Sequence, residues 1–187
     1  ILLLFACTSL LIASCSDFLD ENPKSMRTMA DFYKTETQAR ATVNTLYRSG
    51  AITGTSSAGS AYIGPVATLP GMLTGYFSNS YEGQEKVCAY ARTLKRQEET
   101  NNVSNTIDGI WDDCYSAINI ANGAIKYIPS IPMSENTKDV LIAEAKFFRA
   151  FNYFTLVKWF GDVPLLTEPS ESLNGLELPR TPVATVY

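Results

Sequence analysis

The chain contains no histidine. Ser-His-Asp and Cys-His nucleophile systems, and any His-ligated zinc site, are therefore closed to these residues. The acidic pairs Glu98-Glu99 and Asp112-Asp113 resemble catalytic carboxylates in composition alone, because adjacent residues on a helix do not face one another. Glycoside hydrolysis needs two carboxyl groups about 5–9.5 Å apart across a cleft, and neighbours in sequence do not supply that. No Gly-rich phosphate loop, calcium loop or four-cysteine spacing occurs. The reading assigns no catalytic residue, no metal and no cofactor, and the chain is expected not to be an enzyme.

What remains is binding chemistry. Between Ala51 and Val103 the sequence carries Tyr62, Tyr76, Phe77, Tyr81 and Tyr90, with Asn79, Glu82 and Gln84 among them. Sugar rings present flat C–H faces that stack on aromatic side chains, and their hydroxyls need amide and carboxylate partners. Tyr76, Phe77, Asn79 and Tyr81 are the candidate ligand contacts. The duller alternative is that these side chains pin the segment to neighbouring helices. Glycines at 54, 59, 64, 71, 75 and 83 break any sustained period here, and connections this long are usually functional or mobile.

A second chemistry is written at the start. Residues Ile1 to Ser14 are uncharged and apolar or small, shorter than the roughly 20 residues that cross a bilayer. They suit the apolar region of a signal peptide whose basic start is missing. Ile12-Ala13-Ser14-Cys15 resembles a bacterial lipobox, so Cys15 is expected to receive lipid after cleavage. Cys7, preceded by Phe5-Ala6, fits less well. Several acyl chains on Cys15 would hold the protein on a membrane, where one chain binds only marginally. Cys88 and Cys114 then remain in the folded body. In an exported chain they either form a disulfide or Cys114 is a small buried residue on a helix.

The elements that position these residues read as helices. With 45% apolar and 18% charged residues, the chain of 187 residues has enough apolar surface to fold. The balance of 15 basic against 19 acidic residues, net −4, argues against nucleic acid as a partner. Asp17 to Lys24 form an acidic tether. Thr28 caps one helix of about twenty residues, with Phe32, Ala39, Val43, Leu46 and Tyr47 on its apolar face and Arg48 and Gly50 at its close. Ser104 or Thr106 opens a second, on which Ile107, Trp111, Cys114, Tyr115, Ile118, Ala121, Asn122, Ile125 and Ile128 recur at steps of three or four. Pro129 and Pro132 stop it. A third starts at Ser134 or Asn136 and ends at Gly161, with Leu141, Ala145, Phe148, Phe151 and Phe154 on one stripe. Phe147, Tyr153, Val157 and Phe160 broaden that stripe, so this helix is expected to be buried on more than one side. Arg149 interrupts it and needs a partner, Glu144 or an acid elsewhere, since a bare buried charge is costly.

Helices two and three form an antiparallel hairpin. Thr181 as cap and Pro182 as first residue open a further helix, which is expected to continue beyond Tyr187. Stacked pairs of this kind follow the logic of tetratricopeptide-like solenoids. The expected organisation is a signal peptide over 1–14, truncated at its start, a lipidated tether over 15–27, and a mostly α-helical domain over 28–187 that extends past the last residue.

One stretch, Ala143 to Leu165, containing Phe147-Phe148-Arg149-Ala150-Phe151-Asn152-Tyr153-Phe154 and Trp159-Phe160-Gly161-Asp162-Val163-Pro164, resembles the signature of the SusD/RagB family. Cys15-Ser16-Asp17-Phe18-Leu19-Asp20 followed by Pro23 is similar to the family's start after lipidation. Trp111-Asp112-Asp113-Cys114-Tyr115 is similar to its preceding helix, and Arg180-Thr181-Pro182-Val183 to the entry of its next one, where Pro182 and Thr185 depart from the usual residues. The resemblance implies a SusD-like superhelical body and the N-terminal third or so of a longer protein. It also implies a surface lipoprotein of the outer membrane that captures a nutrient, a glycan first of all, and passes it to a SusC-like TonB-dependent transporter. Tyr76, Phe77, Asn79 and Tyr81 would then face either glycan or transporter. The competing function is a surface-anchored helical scaffold that binds protein partners and has no small-molecule site.

Overall fold

A computed structural model describes residues 29–48, 70–71, 74, 76, 107–171 and 177–187. Cys15, Phe77, Asn79, Tyr81 and Cys88, and the segments 1–14 and 15–27, lie outside the described residues. Among the described residues the chain is helical, and its extended backbone meets itself at one antiparallel bridge, Val163 with Thr181.

The first expected helix is two. Helix α1 covers Met29–Phe32 and α2 covers Glu36–Leu46. The break is made by Thr35, whose extended backbone (φ −135°, ψ 156°) starts a new capping box with Gln38. The Thr35 hydroxyl accepts from the Gln38 N–H, and the Gln38 side chain accepts from the Thr35 N–H at 2.9 Å. Reciprocal satisfaction of free helix-end donors makes this a start signal stronger than Thr28 alone. Ala39, Val43 and Leu46 are fully buried, as the spacing predicts, while Tyr47 is exposed. Its ring meets the Phe148 ring at 4.6 Å and its hydroxyl donates to Glu144.

Helix α3 spans Ile107–Tyr127 and passes into a 3-10 turn, Ile128–Ser130, where Pro129 ends the α-helical ladder. Helix α4 spans Glu135–Phe160 and is capped by Ser134, whose hydroxyl accepts from the Thr137 N–H. Gly161 closes it at φ 65°, a left-handed conformation that glycine adopts without a Cβ penalty. An added Cβ would meet nothing within 4 Å there, so the demand for glycine is conformational and not steric.

The α3/α4 pair is an antiparallel hairpin, because its core residues pair in reversed order. Ala117, Ala121 and Ala124 share one cluster with Leu141, Ala145 and Phe148, to which α2 adds Val43 and Leu46. Ile110, Cys114 and Ile118 share a second with Tyr153, Leu156 and Val157. Three alanines on α3 let the two helices approach closely where α2 crosses both. Cys114 is a free, fully buried thiol, which answers the question of its pairing. Burial, with Asp113 adding to it, pushes the thiol up to about 12, so at neutral pH it stays protonated and inert.

The expected burial of α4 on more than one side is not met among the described residues. Phe148 and Tyr153 are core, but Phe147 is 62% exposed and Phe154 46%. The helix carries two apolar stripes, and the described elements cover one of them. The last helix, α5, Val183–Val186, also starts differently. Pro182 occupies the cap position with no side-chain bond, and Thr181 pairs with Val163 instead. The cap is supplied from afar, by Asp162 Oδ1 accepting from the Val183 N–H at 3.0 Å.

Candidate functional site

After Gly161 the chain turns back, and residues 162–171 run extended as a strap along the hairpin, parallel to α3 and antiparallel to α4. Extended backbone away from a sheet must find partners for its polar groups, and here side chains of the two helices supply them. Tyr115 donates its hydroxyl to the Pro164 carbonyl at 2.7 Å. Asn122, 1% exposed, donates to the carbonyls of Leu166 (2.9 Å) and Glu168 (3.1 Å). Tyr153 both donates to the Leu166 carbonyl and accepts from its N–H, at 3.0 and 2.6 Å. Asn119 accepts from the Ser170 N–H at 2.8 Å. At the end of the strap Glu171 meets Lys126 at 2.8 Å and the Tyr127 hydroxyl.

Arg149 joins this network, and among the described residues it makes no ion pair. Its guanidinium donates to Asn122 Oδ1 at 3.0 Å and to the Thr167 carbonyl at 3.3 Å. The acid expected from the sequence, Glu144, is engaged by Tyr47 instead. Two neutral oxygens suffice because Arg149 is only partly buried, so the guanidinium keeps contact with water. The tyrosines are donors for a physical reason as well. Burial pushes the hydroxyls of Tyr115 and Tyr153 above their ordinary value, the latter partly offset by its bond to the Leu166 N–H. Both stay protonated at neutral pH. Glu171 is held below the usual carboxylate range by its bonds to Lys126 and Tyr127.

Between α3 and the strap lies an open groove of about 520 Å³, within the range of about 300–1,000 Å³ typical of small-ligand sites. Trp111, Tyr115 and Asn119 form its helix wall; Pro164, Leu166 and Leu178 face them. The Trp111 indole is fixed by Tyr115 at 4.9 Å, by the edge of Phe160 at 5.0 Å and by the Arg180 guanidinium 5.6 Å from the ring centroid. Arg180 is itself tied to the carbonyls of Phe160 and Asp162. No group of three or more potential metal ligands occurs among the described residues.

Of the sequence-derived ligand contacts, Tyr76 is described. It is 90% exposed, and its ring touches no other described ring. Its N–H donates to the Thr74 hydroxyl at 3.4 Å. Phe77, Asn79 and Tyr81 lie outside the described residues, so nothing places them beside it. Nothing in the sequence period marks Asn119, and Asn122 falls on the apolar stripe of α3. An amide embedded in a run of isoleucine and alanine is the signal that could have singled it out, since a buried amide is almost always hydrogen-bonded.

Known proteins are similar to this chain along almost its whole length. "SusD-like protein P2" of Formosa agariphila is 28% identical over 184 residues, covering 95% of this chain and 33% of that protein. A "SusD-like protein" of Bacteroides ovatus is 28% identical over 171 residues, 89% of this chain and 28% of the other. Among solved structures, a "Laminarin binding SusD-like protein" superposes with a TM-score of 0.61 at 28% identity, over 83% of this chain and 32% of that one. A SusD superfamily protein from Parabacteroides distasonis gives 0.62 at 25% identity, over 81% and 31%. The chain thus spans about a third of the length of the curated relatives it matches. The SusD-like family model, described as "Starch-binding associating with outer membrane", matches residues 17–187. With that match covering residues 17–187, the chain belongs to the SusD-like family.

Proposed function

We propose that this chain is part of a cell-surface lipoprotein that binds a glycan outside the cell and hands it to a SusC-like TonB-dependent transporter of the outer membrane. No bond is made or broken in that role. The observation that carries the reading is the family match over 17–187, together with the likeness to a laminarin-binding structure. The lipid on Cys15 would restrict the protein to the membrane surface, raising its effective concentration beside a membrane partner. Among the described residues no helix is long and apolar enough to cross a membrane.

Tyr76, Phe77, Asn79 and Tyr81 supply the sugar contacts in this scheme. The 90% exposure of Tyr76 suits a ring that waits for a ligand better than one that pins a segment to helices. The competing scaffold reading is weakened by the strap. An extended partner peptide would lie along a helical hairpin just where the chain's own residues 164–171 already run.

Calorimetric titration with a panel of neutral glucans tests the proposal. Wild-type chain is expected to bind at least one of them. Tyr76→Ala and Tyr81→Ala are each expected to weaken binding about 10-fold, the loss of one stacked aromatic at about 1.4 kcal/mol per decade. Unchanged affinity in both variants would rule the cluster out.

A further inference from the structure

The groove between α3 and the strap contains polar groups that find no partner among the described residues. The Trp111 indole N–H has no hydrogen-bond partner among the described residues. Asp112 and Ser116, both exposed, engage no other side chain there. Asn119 spends its oxygen on the Ser170 N–H, and its amide N–H groups have no partner among the described residues. At 3.6 residues per turn, positions 111, 112, 116 and 119 fall on one side of α3. One acceptor, Asp112, thus stands beside three donors, with an aromatic ring at one end and the apolar surfaces of Pro164, Leu166 and Leu178 opposite.

That combination selects among ligands. An anion would face the Asp112 carboxylate. A peptide strand would need backbone partners from the strap, and the carbonyls of Pro164, Leu166, Thr167 and Glu168 and the N–H of Ser170 are already committed to the helices. A neutral oligosaccharide fits: its ring faces suit the indole and the apolar wall, and its hydroxyls both donate and accept. The indole needs no ordering on binding, because Phe160, Tyr115 and Arg180 already hold it. A preorganised contact loses less side-chain entropy on association.

We propose that the groove lined by Trp111, Asp112, Ser116 and Asn119 is a glycan-contact site on the helical body, built from residues other than the aromatic cluster at 76–81. It rests on the glycan-binding reading above. Two such surfaces on one chain would let a long polysaccharide be held at two points. Avidity of this kind raises apparent affinity for long chains over short ones with no further contact.

The chain has two tryptophans, Trp111 and Trp159, so 19F spectra of the full chain carrying 5-fluorotryptophan contain two signals, assigned with Trp159→Phe. Titration uses laminarihexaose and maltohexaose, with calorimetry in parallel. The Trp111 signal is expected to move saturably with one of them. Ser116→Arg fills the groove from an exposed position, and is expected to weaken that response at least 10-fold. An unmoved Trp159 signal in the free variant reports that the fold is intact. Tyr76→Ala is expected to leave the Trp111 response in place. The site is overturned if Trp111 stays still while calorimetry detects binding, in which case the glycan reading stands. It is equally overturned if Ser116→Arg changes nothing, or if Tyr76→Ala abolishes the Trp111 response. Absence of binding by both methods removes the glycan reading and this site together.

Discussion

Replacing Asn122 with alanine is expected to lower the unfolding free energy by about 2–3 kcal/mol, with an unchanged urea dependence and a midpoint lower by about 1–2 M. The residue is 1% exposed and makes three bonds: it donates to the Leu166 and Glu168 carbonyls and accepts from Arg149. Alanine removes all three and leaves a hole where the strap crosses α3. The Leu166 carbonyl keeps the Tyr153 hydroxyl and Arg149 keeps the Thr167 carbonyl, which is why the loss stays below the sum of three orphaned groups. Asn122→Asp separates the hydrogen-bond account from a volume account. It keeps the shape and the acceptor for Arg149, but it has no donor and sets a carboxylate against two carbonyl oxygens. Urea unfolding of Asn122→Asp is expected to show destabilisation comparable with alanine. Wild-type stability in that variant would contradict the account.

Leu156→Ala carries the largest packing effect. Leu156 is fully buried in the cluster that joins Ile110, Cys114 and Ile118 to α4, and truncating such a leucine costs about 2–5 kcal/mol, depending on how far the cavity collapses. Phe147→Ala removes a larger side chain from the same helix, yet its effect on the chain is expected to stay below about 1 kcal/mol. That ring is 62% exposed, and what it loses is its contacts with Phe148 and Phe151 at 5.4 and 6.2 Å. Thermal or urea unfolding of the two variants side by side gives the ratio. A Phe147→Ala loss as large as that of Leu156→Ala would place the ring in a core that the structure does not show.

The contrast between these two residues marks what the sequence makes legible. The 3.6-residue period identifies α3 and α4, and Pro129, Ser134 and Gly161 fix their ends by local rules that need no tertiary knowledge. The period also finds both apolar stripes of α4, but not which one a neighbour covers, so Phe147 and Phe154 were expected inside. The break before α2 was readable, because Thr35 and Gln38 stand at capping-box spacing. The apolar stripe that continues from Phe32 to Tyr47 masks it.

The strap is a different matter. Residues 162–171 have no period, and their conformation is set by partners 13 to 51 positions away, such as Tyr153 for Leu166 and Asn119 for Ser170. Long-range pairing of this kind leaves no local trace. The same holds for Arg149, whose partners are an amide and a peptide carbonyl, and for α5, capped by Asp162 across 21 residues. Of the sequence-derived contacts, Tyr76 is described and exposed, while the groove at Trp111 arises only when the strap is laid against α3.

Detergent extraction of the full-length protein from outer membranes, followed by affinity purification and mass spectrometry, tests the central claim most directly. The account predicts an acylated Cys15 and a co-purifying TonB-dependent barrel, with oligosaccharide bound to the complex. A protein with unmodified Cys15 that brings down a soluble partner, no barrel and no sugar would contradict it.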